Sequence, residues 1–99
     1  MDPDTVDCGD LRMDRSAHQA WVAGTPVHLS HLQFVLLWEL TRSAGRVVAE
    51  DALLAVHGGT SSLRNVQSTI CRIRSRLGTG PRRPRIVRER GHGYVLVGP

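Results

Sequence analysis

One segment of this 99-residue chain has apolar residues at a spacing that would put them on both faces of a β-strand. An α-helix would bring the same residues together on one face. Its large apolar residues recur at intervals of three, four, three and four positions and are Leu63, Val66, Ile70, Ile73 and Leu77. On a helix this spacing forms one narrow stripe. Ser61 or Ser62 can cap its N-terminus and Gly78 can end it. The sequence therefore predicts an amphipathic helix over about residues 62–77.

The face of this helix opposite the stripe is polar and basic. It carries Arg64, Asn65, Ser68, Cys71, Arg72 and Ser75. Its flanks carry Gln67, Thr69, Arg74 and Arg76. The segment contains no acid, and Arg72 and Arg76 are like charges four positions apart, a small local cost that an external anion would remove. The pattern therefore favours a polyanionic partner over a merely solvated face.

The charges of the whole chain are distributed in the same sense. Residues 1–59 hold four arginines and eight acids, a net charge of −4, whereas residues 60–99 hold nine arginines and one acid, a net charge of +8. The sum is the chain's +4. Such asymmetry indicates a polyanion-binding half. All 13 basic residues are arginine, which suits bidentate contacts to phosphate and guanine, although genomic base composition can produce the same bias.

Length and composition limit the class of protein. We expect a flexible tail over residues 1–4 and one domain over residues 5–99. No apolar run approaches the ~20 residues of a membrane span, and the acidic N-terminus is not a signal peptide. We therefore expect a cytoplasmic protein. Cys8 and Cys71 lack any metal-binding spacing and are expected to be reduced thiols, with a redox switch at Cys71 as a minor hypothesis.

Short strands are predicted at both ends of the chain. Four segments punctuated by glycine-containing turns predict a small antiparallel sheet, and they are Thr5–Cys8, Leu11–Asp14, His18–Val22 and Pro26–Leu29. Near the C-terminus, Arg85–Glu89 and Tyr94–Val97 read as two strands around a basic, glycine-rich tip at residues 90–93. This hairpin closes the sheet, and its tip fits a minor groove, so we expect Arg88 or Arg90 to contact a groove or a phosphate.

Two further helices are predicted between these strands. Ser30 followed by Gln33 indicates a capping box at the start of the first helix, which Gly45 can end. The second helix is predicted at Glu50–His57, stopped by the glycine pair at 58–59. The order of elements predicts an α+β fold: a winged helix-turn-helix with an N-terminal antiparallel sheet, three helices and a C-terminal β-hairpin wing over residues 85–97.

Four segments resemble the OmpR/PhoB-type winged-helix domain, the C-terminal effector half of many bacterial two-component response regulators. Leu29–Phe34 is similar to the family's L-T-x-x-E-F helix start, and Gly45–Val48 to its P-G-R-V-V turn. Arg64–Leu77 is similar to the recognition helix R-T-V-D-V-H-I-x-R-L-R-x-x-L, and Arg90–Tyr94 to the R-G-x-G-Y wing. In this order and spacing the resemblance covers about residues 5–97.

The resemblance implies a role for each matching position. Positions that usually grip phosphates are Arg64, Thr69, Arg74 and Arg88. Positions that approach base edges in the major groove are Asn65, Gln67, Ser68 and Arg72. Arg90 matches the wing arginine that enters the minor groove, and Tyr94 a tyrosine that packs on the core and touches the DNA backbone. The resemblance therefore implies sequence-specific binding of double-stranded DNA on direct repeats, as a tandem homodimer, for transcription regulation on the bacterial nucleoid.

The chain also departs from the family pattern. The usual Val-Trp-Gly is Val56-His57-Gly58, and the loop at 58–62 is shorter than the family's, which often contacts RNA polymerase. A polymerase contact is therefore less strongly implied. The family's Asp and His on the recognition helix are Gln67 and Thr69, so the DNA sequence that is read should differ. Without a receiver domain, the sequence is either an excised effector domain or a free-standing regulator.

Other classes of function have weaker support. The five histidines are scattered without a metal-binding spacing, and no nucleophile or paired-carboxylate motif occurs, so we expect no enzyme, no metal and no cofactor. An RNA reader would display stacking aromatics, which the predicted recognition face lacks. A winged helix that binds RNA polymerase or another regulator without reading DNA is the main alternative.

Overall fold

The computed structural model describes residues 4–57 and 62–99 and has the predicted α+β architecture. Four strands come first: β1 (Thr5–Cys8), β2 (Leu11–Asp14), β3 (Gln19–Val22) and β4 (Thr25–Val27). They form an antiparallel sheet in the order β1-β2-β3-β4. The first two strands are confirmed as predicted. No helix among the described residues combines the length and apolar composition that a membrane crossing requires.

The third and fourth strands differ from their predicted bounds because of turn geometry. His18 has φ +52° and donates its N–H to the carbonyl of Arg15, so it belongs to the turn and β3 begins one residue later. Val22 pairs with Thr25 across a turn that contains Ala23 at φ +52° and Gly24 at φ +81°. Strand β4 therefore starts before Pro26 and ends before Leu29.

Asp4 is the last residue of the predicted tail. Met1–Pro3 lie outside the described residues. Asp4 accepts hydrogen bonds from Arg15 twice, at its backbone carbonyl from the Arg15 N–H (2.6 Å) and at Oδ1 from Nη2 (3.2 Å). These bonds fasten Asp4 to the β2–β3 turn.

Helix α1 (His31–Arg42) begins with the predicted capping box. Ser30 Oγ accepts a hydrogen bond from the Gln33 N–H, and Gln33 Oε1 accepts one from the Ser30 N–H, both at 3.2 Å. The helix ends at Ser43 as its C-cap, ahead of the predicted Gly45. Gly45 lies in the following turn at φ +84° and donates its N–H to the carbonyl of Leu96. It therefore docks the turn after α1 onto the C-terminal strand.

The helix-turn-helix follows as α2 (Glu50–His57) and α3 (Leu63–Leu77). Ser62 caps α3 by accepting the Asn65 N–H at Oγ, and Gly78 ends it at φ +70°. The predicted stop at the glycine pair 58–59 and the alternative cap Ser61 lie outside the described residues. The described side chains of the apolar stripe are at most 2% exposed, and they are Val66, Ile70, Ile73 and Leu77. They share one core with α1, α2 and both sheets.

The C-terminal hairpin consists of β6 (Arg85–Glu89) and β7 (Gly93–Val97). A third strand, which the sequence analysis did not predict, belongs to the same sheet. This strand is β5 (Val48–Ala49), and the sheet order is β5-β7-β6. Val48 pairs with Tyr94, and Ala49 pairs with Gly93. The wing therefore starts from a strand that is fixed directly ahead of α2.

Gly93 makes the seam between the wing and β5 possible. Its φ is +155°, and a Cβ atom at this position would overlap the carbonyl oxygen of Val48. Gly91, at the tip of the same hairpin, also has a positive φ of +81°, but a Cβ atom there would meet nothing within 4 Å. Of these two glycines, only Gly93 is therefore required both by its backbone conformation and by a close approach.

We expect Gly93→Ala to lower the free energy of unfolding by more than about 3 kcal/mol, because β5 has to move away from β7. Gly91→Ala is the matched control and should lower it by about 1 kcal/mol through its backbone conformation alone. Urea unfolding of both variants measures the difference. Equal losses would show that the seam tolerates a side chain.

Candidate nucleic-acid interface

The outer face of α3 presents the side chains that the sequence assigned to base reading. All of them are exposed, and they are Asn65, Gln67, Ser68 and Arg72. Arg64 is exposed beside them in the first turn. Among the described residues, no carboxylate lies within salt-bridge distance of an arginine on α3. The face therefore keeps its positive charge available for an external anion.

The two flanks of α3 adjoin different elements. On one flank, Arg74 donates hydrogen bonds from Nε (3.2 Å) and Nη2 (3.0 Å) to the carbonyl oxygen of Ile86 in β6. On the other, Arg76 shares a shallow surface depression with Arg72 of the outer face and with Gln33 at the start of α1. The basic face thus lies between the wing and the first turn of α1.

Arg88 and Arg90 extend the positive surface onto the wing. Arg88 follows Ile86 by two positions and so points to the same side of β6, toward the helices. Its Nη2 is 3.8 Å from Oε1 of Glu50, the first residue of α2. The Arg88 side chain is 52% exposed, and a pair that is open to solvent on one side at this distance contributes about 1 kcal/mol, so it does not withhold Arg88 from a phosphate.

The hairpin tip carries Arg90 in an exposed position. A hydrogen bond from the His92 N–H to the Glu89 carbonyl closes the turn at 2.9 Å. Glu50 donates its N–H to the carbonyl of His92 at 3.4 Å, which ties the tip to the start of α2. The tip that holds Arg90 is therefore connected to the helix-turn-helix.

Two of the residues assigned to phosphates have other contacts in this structure. Tyr94 is only 3% exposed and belongs to the core, and the DNA-backbone contact that the resemblance implied stays a prediction. Thr69 is half-buried and donates its Oγ hydrogen to the carbonyl of Asn65 at 3.0 Å. Its hydroxyl would have to turn away from that carbonyl to donate to a phosphate.

Two arginines of the basic half stabilise the scaffold. Asp10, in the β1–β2 turn, accepts from Nε of Arg83 at 3.1 Å and lies 3.5 Å from Nε of Arg82. Arg83 also donates from Nη1 to the carbonyl of Leu77 at 2.9 Å. These contacts fasten the C-terminal end of α3 to the N-terminal sheet. The partner is 73 positions away in sequence, so no local pattern could have shown this role.

The two cysteines occupy different environments. Cys8 is half-buried in β1, and its burial raises the pKa of the thiol above the ordinary value. Cys71 is exposed on the outer face of α3. Among the described residues there is no group of histidine, cysteine or acidic side chains that could hold a metal ion.

We expect iodoacetamide to alkylate Cys71 faster than Cys8, because Cys8 is less accessible and its raised pKa lowers the thiolate fraction. Mass spectrometry over a time course measures both rates in one sample, and Cys8→Ser and Cys71→Ser assign the two adducts. Faster modification of Cys8 would contradict the placement of these side chains.

The described residues form a winged helix-turn-helix. Its helix α3 and its wing together form one basic surface. The family follows from comparison. The family model described as "Transcriptional regulatory protein, C terminal" matches residues 24–96, and the chain belongs to this family. The resemblance to OmpR/PhoB-type effector domains is thereby confirmed.

Individual relatives agree with this assignment. The chain is 36% identical over 93 residues to the transcriptional regulatory protein RstA of Escherichia coli, covering 90% of this chain and 39% of RstA. The response regulator DrrB of Thermotoga maritima, an OmpR/PhoB homolog, superimposes with a TM-score of 0.83 at 34% identity, covering 96% of this chain and 45% of DrrB. The chain therefore spans less than half the length of these relatives.

A solved complex is also similar. The crystal structure of the Klebsiella pneumoniae RstA DNA-binding domain in complex with the RstA box superimposes with a TM-score of 0.76 at 32% identity. The match covers 94% of this chain and 96% of that domain. The similarity thus extends over a whole effector domain.

Proposed function

We propose that this domain binds double-stranded DNA sequence-specifically and thereby regulates transcription. The observation that carries the proposal is the polar surface of α3, whose outer face and flanks together have four arginines, no acid and no salt bridge to another described residue. The apolar stripe holds this face outward. A helix of this diameter fits the major groove, where arginine recognises guanine and amides recognise adenine.

Side chains at different positions are proposed to contact either phosphates or bases. Arg64 lies in the first turn of α3, and Arg88 lies in β6 two positions before Arg90 of the wing tip. We propose that these two arginines contact phosphates. Phosphate contacts give affinity and register, and contacts to base edges give specificity. The base-reading set is Asn65, Gln67, Ser68 and Arg72. Arg90 projects from the wing tip and is proposed to enter the adjacent minor groove.

The similarity to relatives also supports this assignment. The Klebsiella pneumoniae RstA domain was crystallised with the RstA box, and the present chain has 32% identity to it. We infer the same class of ligand here, and a location with the chromosome in the cytoplasm. The proposal includes the binding of direct repeats by a tandem homodimer. It also includes a contact with RNA polymerase, which the resemblance implies less strongly. The segment between α2 and α3, residues 58–62, is only five residues long.

Selection from random duplexes followed by binding of the selected sequence at two salt concentrations tests the function. We expect an enriched motif and a steep decrease of affinity with salt, since each neutralised phosphate contributes about 0.9 to the logarithmic slope. A protein-interaction module would enrich no motif. Two half-site repeats in the motif, with two domains bound per duplex in sedimentation, would support the tandem dimer.

Two substitutions on α3 should separate base reading from phosphate contact. Arg72→Ala is expected to weaken binding of the selected sequence by about 1–3 kcal/mol and to relax its base preference. Arg64→Ala should weaken all sequences alike and lower the salt slope by about 0.9. Fluorescence anisotropy with selected and scrambled duplexes measures both effects.

Arg12→Ala is the matched control because it removes the same charge from an exposed position on the N-terminal sheet. It should leave both affinities nearly unchanged. If Arg72→Ala reduced binding of the selected and the scrambled duplex equally, the assignment of Arg72 to base reading would be wrong.

A further inference from the structure

The guanidinium of Arg74 joins the recognition helix to the wing. Both Nε and Nη2 donate to a single acceptor, the carbonyl oxygen of Ile86. The resemblance assigned Arg74 to a phosphate, but half of its planar fork is turned toward β6. The contact therefore needs a reason within the domain.

The topology of the wing supplies this reason. In the sheet order β5-β7-β6, strand β6 is an edge strand that pairs only with β7. The Glu89 carbonyl points toward β7, because it accepts the N–H of His92. Carbonyls alternate in direction along a strand, so the Ile86 carbonyl, three residues earlier, points to the open edge. Arg74 occupies this edge and gives the otherwise unpaired acceptor two donors.

Strand β7 has several ties to the rest of the domain. It pairs with β5 at Val48 and Ala49, and the Leu96 carbonyl accepts the Gly45 N–H. The outer strand β6 pairs with β7 along its length, and Pro84 directly before it and Ile86 within it are buried. On its open edge, the hydrogen bonds from Arg74 tie its backbone to α3. Arg74 therefore adds a direct link between β6 and α3 to the packing of the core.

We propose that Arg74 is a positioning residue that fixes the wing relative to α3, and so sets the spacing at which α3 and Arg90 can occupy one DNA site. This proposal rests on the proposed function for its DNA part only. Its structural part, the orientation of β6 relative to α3, holds for the free domain.

The first test uses no DNA. Backbone residual dipolar couplings are measured for wild type, Arg74→Gln and Arg76→Gln. Arg76 lies two positions further along α3, on the flank beside Gln33, and its substitution removes the same charge. Arg74→Gln should shift the couplings of residues 85–89 relative to those of α3, whereas Arg76→Gln should not. Unchanged couplings in Arg74→Gln would overturn the proposal.

The second test measures coupling between Arg74 and the wing tip. If Arg74 positions the wing, Arg90→Ala should weaken binding of the selected duplex about ten-fold in wild type but less than about two-fold in Arg74→Gln. Arg64→Ala should have the same effect in both backgrounds. Additive effects of Arg74→Gln and Arg90→Ala would contradict positioning.

The third measurement separates positioning from a direct phosphate contact. In the Arg90→Ala background, Arg74→Gln should leave the salt slope unchanged, whereas loss of a phosphate contact would lower it by about 0.9. If wild type bound no DNA while the couplings shifted as expected, the proposed function would fail and the structural role would stand. Arg74→Lys, which keeps the stem and the charge but not the fork, replaces the glutamine variant if the latter does not fold.

Discussion

Burial of a narrow apolar stripe on α3 is the interaction on which the rest of the structure depends. Its described members, Val66, Ile70, Ile73 and Leu77, are almost completely removed from solvent, and each contributes roughly 1.5–3 kcal/mol. Exposed ion pairs such as Arg12–Asp7 contribute at most about 1 kcal/mol each. Packing therefore sets the orientation of α3, and charge occupies the surface that packing leaves. Because the stripe is narrow, that surface covers most of the helix circumference.

The wing depends on backbone contacts more than on side chains. Val48 and Ala49 pair with β7 immediately before Glu50 begins α2, so the start of the helix-turn-helix and the base of the wing are one continuous piece of chain. Gly93 permits this approach because any side chain would overlap the Val48 carbonyl. The R-G-x-G-Y pattern thus has a physical reason at its second glycine and at Tyr94, whose ring closes the core behind the seam.

Local signals were sufficient for most of the fold. The capping pair Ser30–Gln33, the 3-4-3-4 stripe and the acidic first turn of α2 each predict an element whose bounds the structure confirms within one or two residues. Strand β5 could not be predicted, because two residues carry no periodicity and their partner is about 45 positions away. For the same reason the site was only partly predictable: the outward face of α3 follows from its spacing, whereas the contacts of Arg74 and Arg83 depend on long-range packing.

These long-range contacts determine how much of the basic charge in the second half of the chain is available to a ligand. Arg82 and Arg83 face Asp10, so the acidic first half supplies a counter-charge that holds the end of α3 in place. Arg74 donates from Nε and Nη2 to the carbonyl of Ile86 in the wing. On the outer face and the wing, Arg64, Arg72 and Arg90 have no carboxylate within salt-bridge distance among the described residues, and Arg88 has Glu50 at 3.8 Å. The net charge of a basic domain therefore overstates the charge available to a polyanion, and the useful quantity is the set of cations that the scaffold leaves unneutralised.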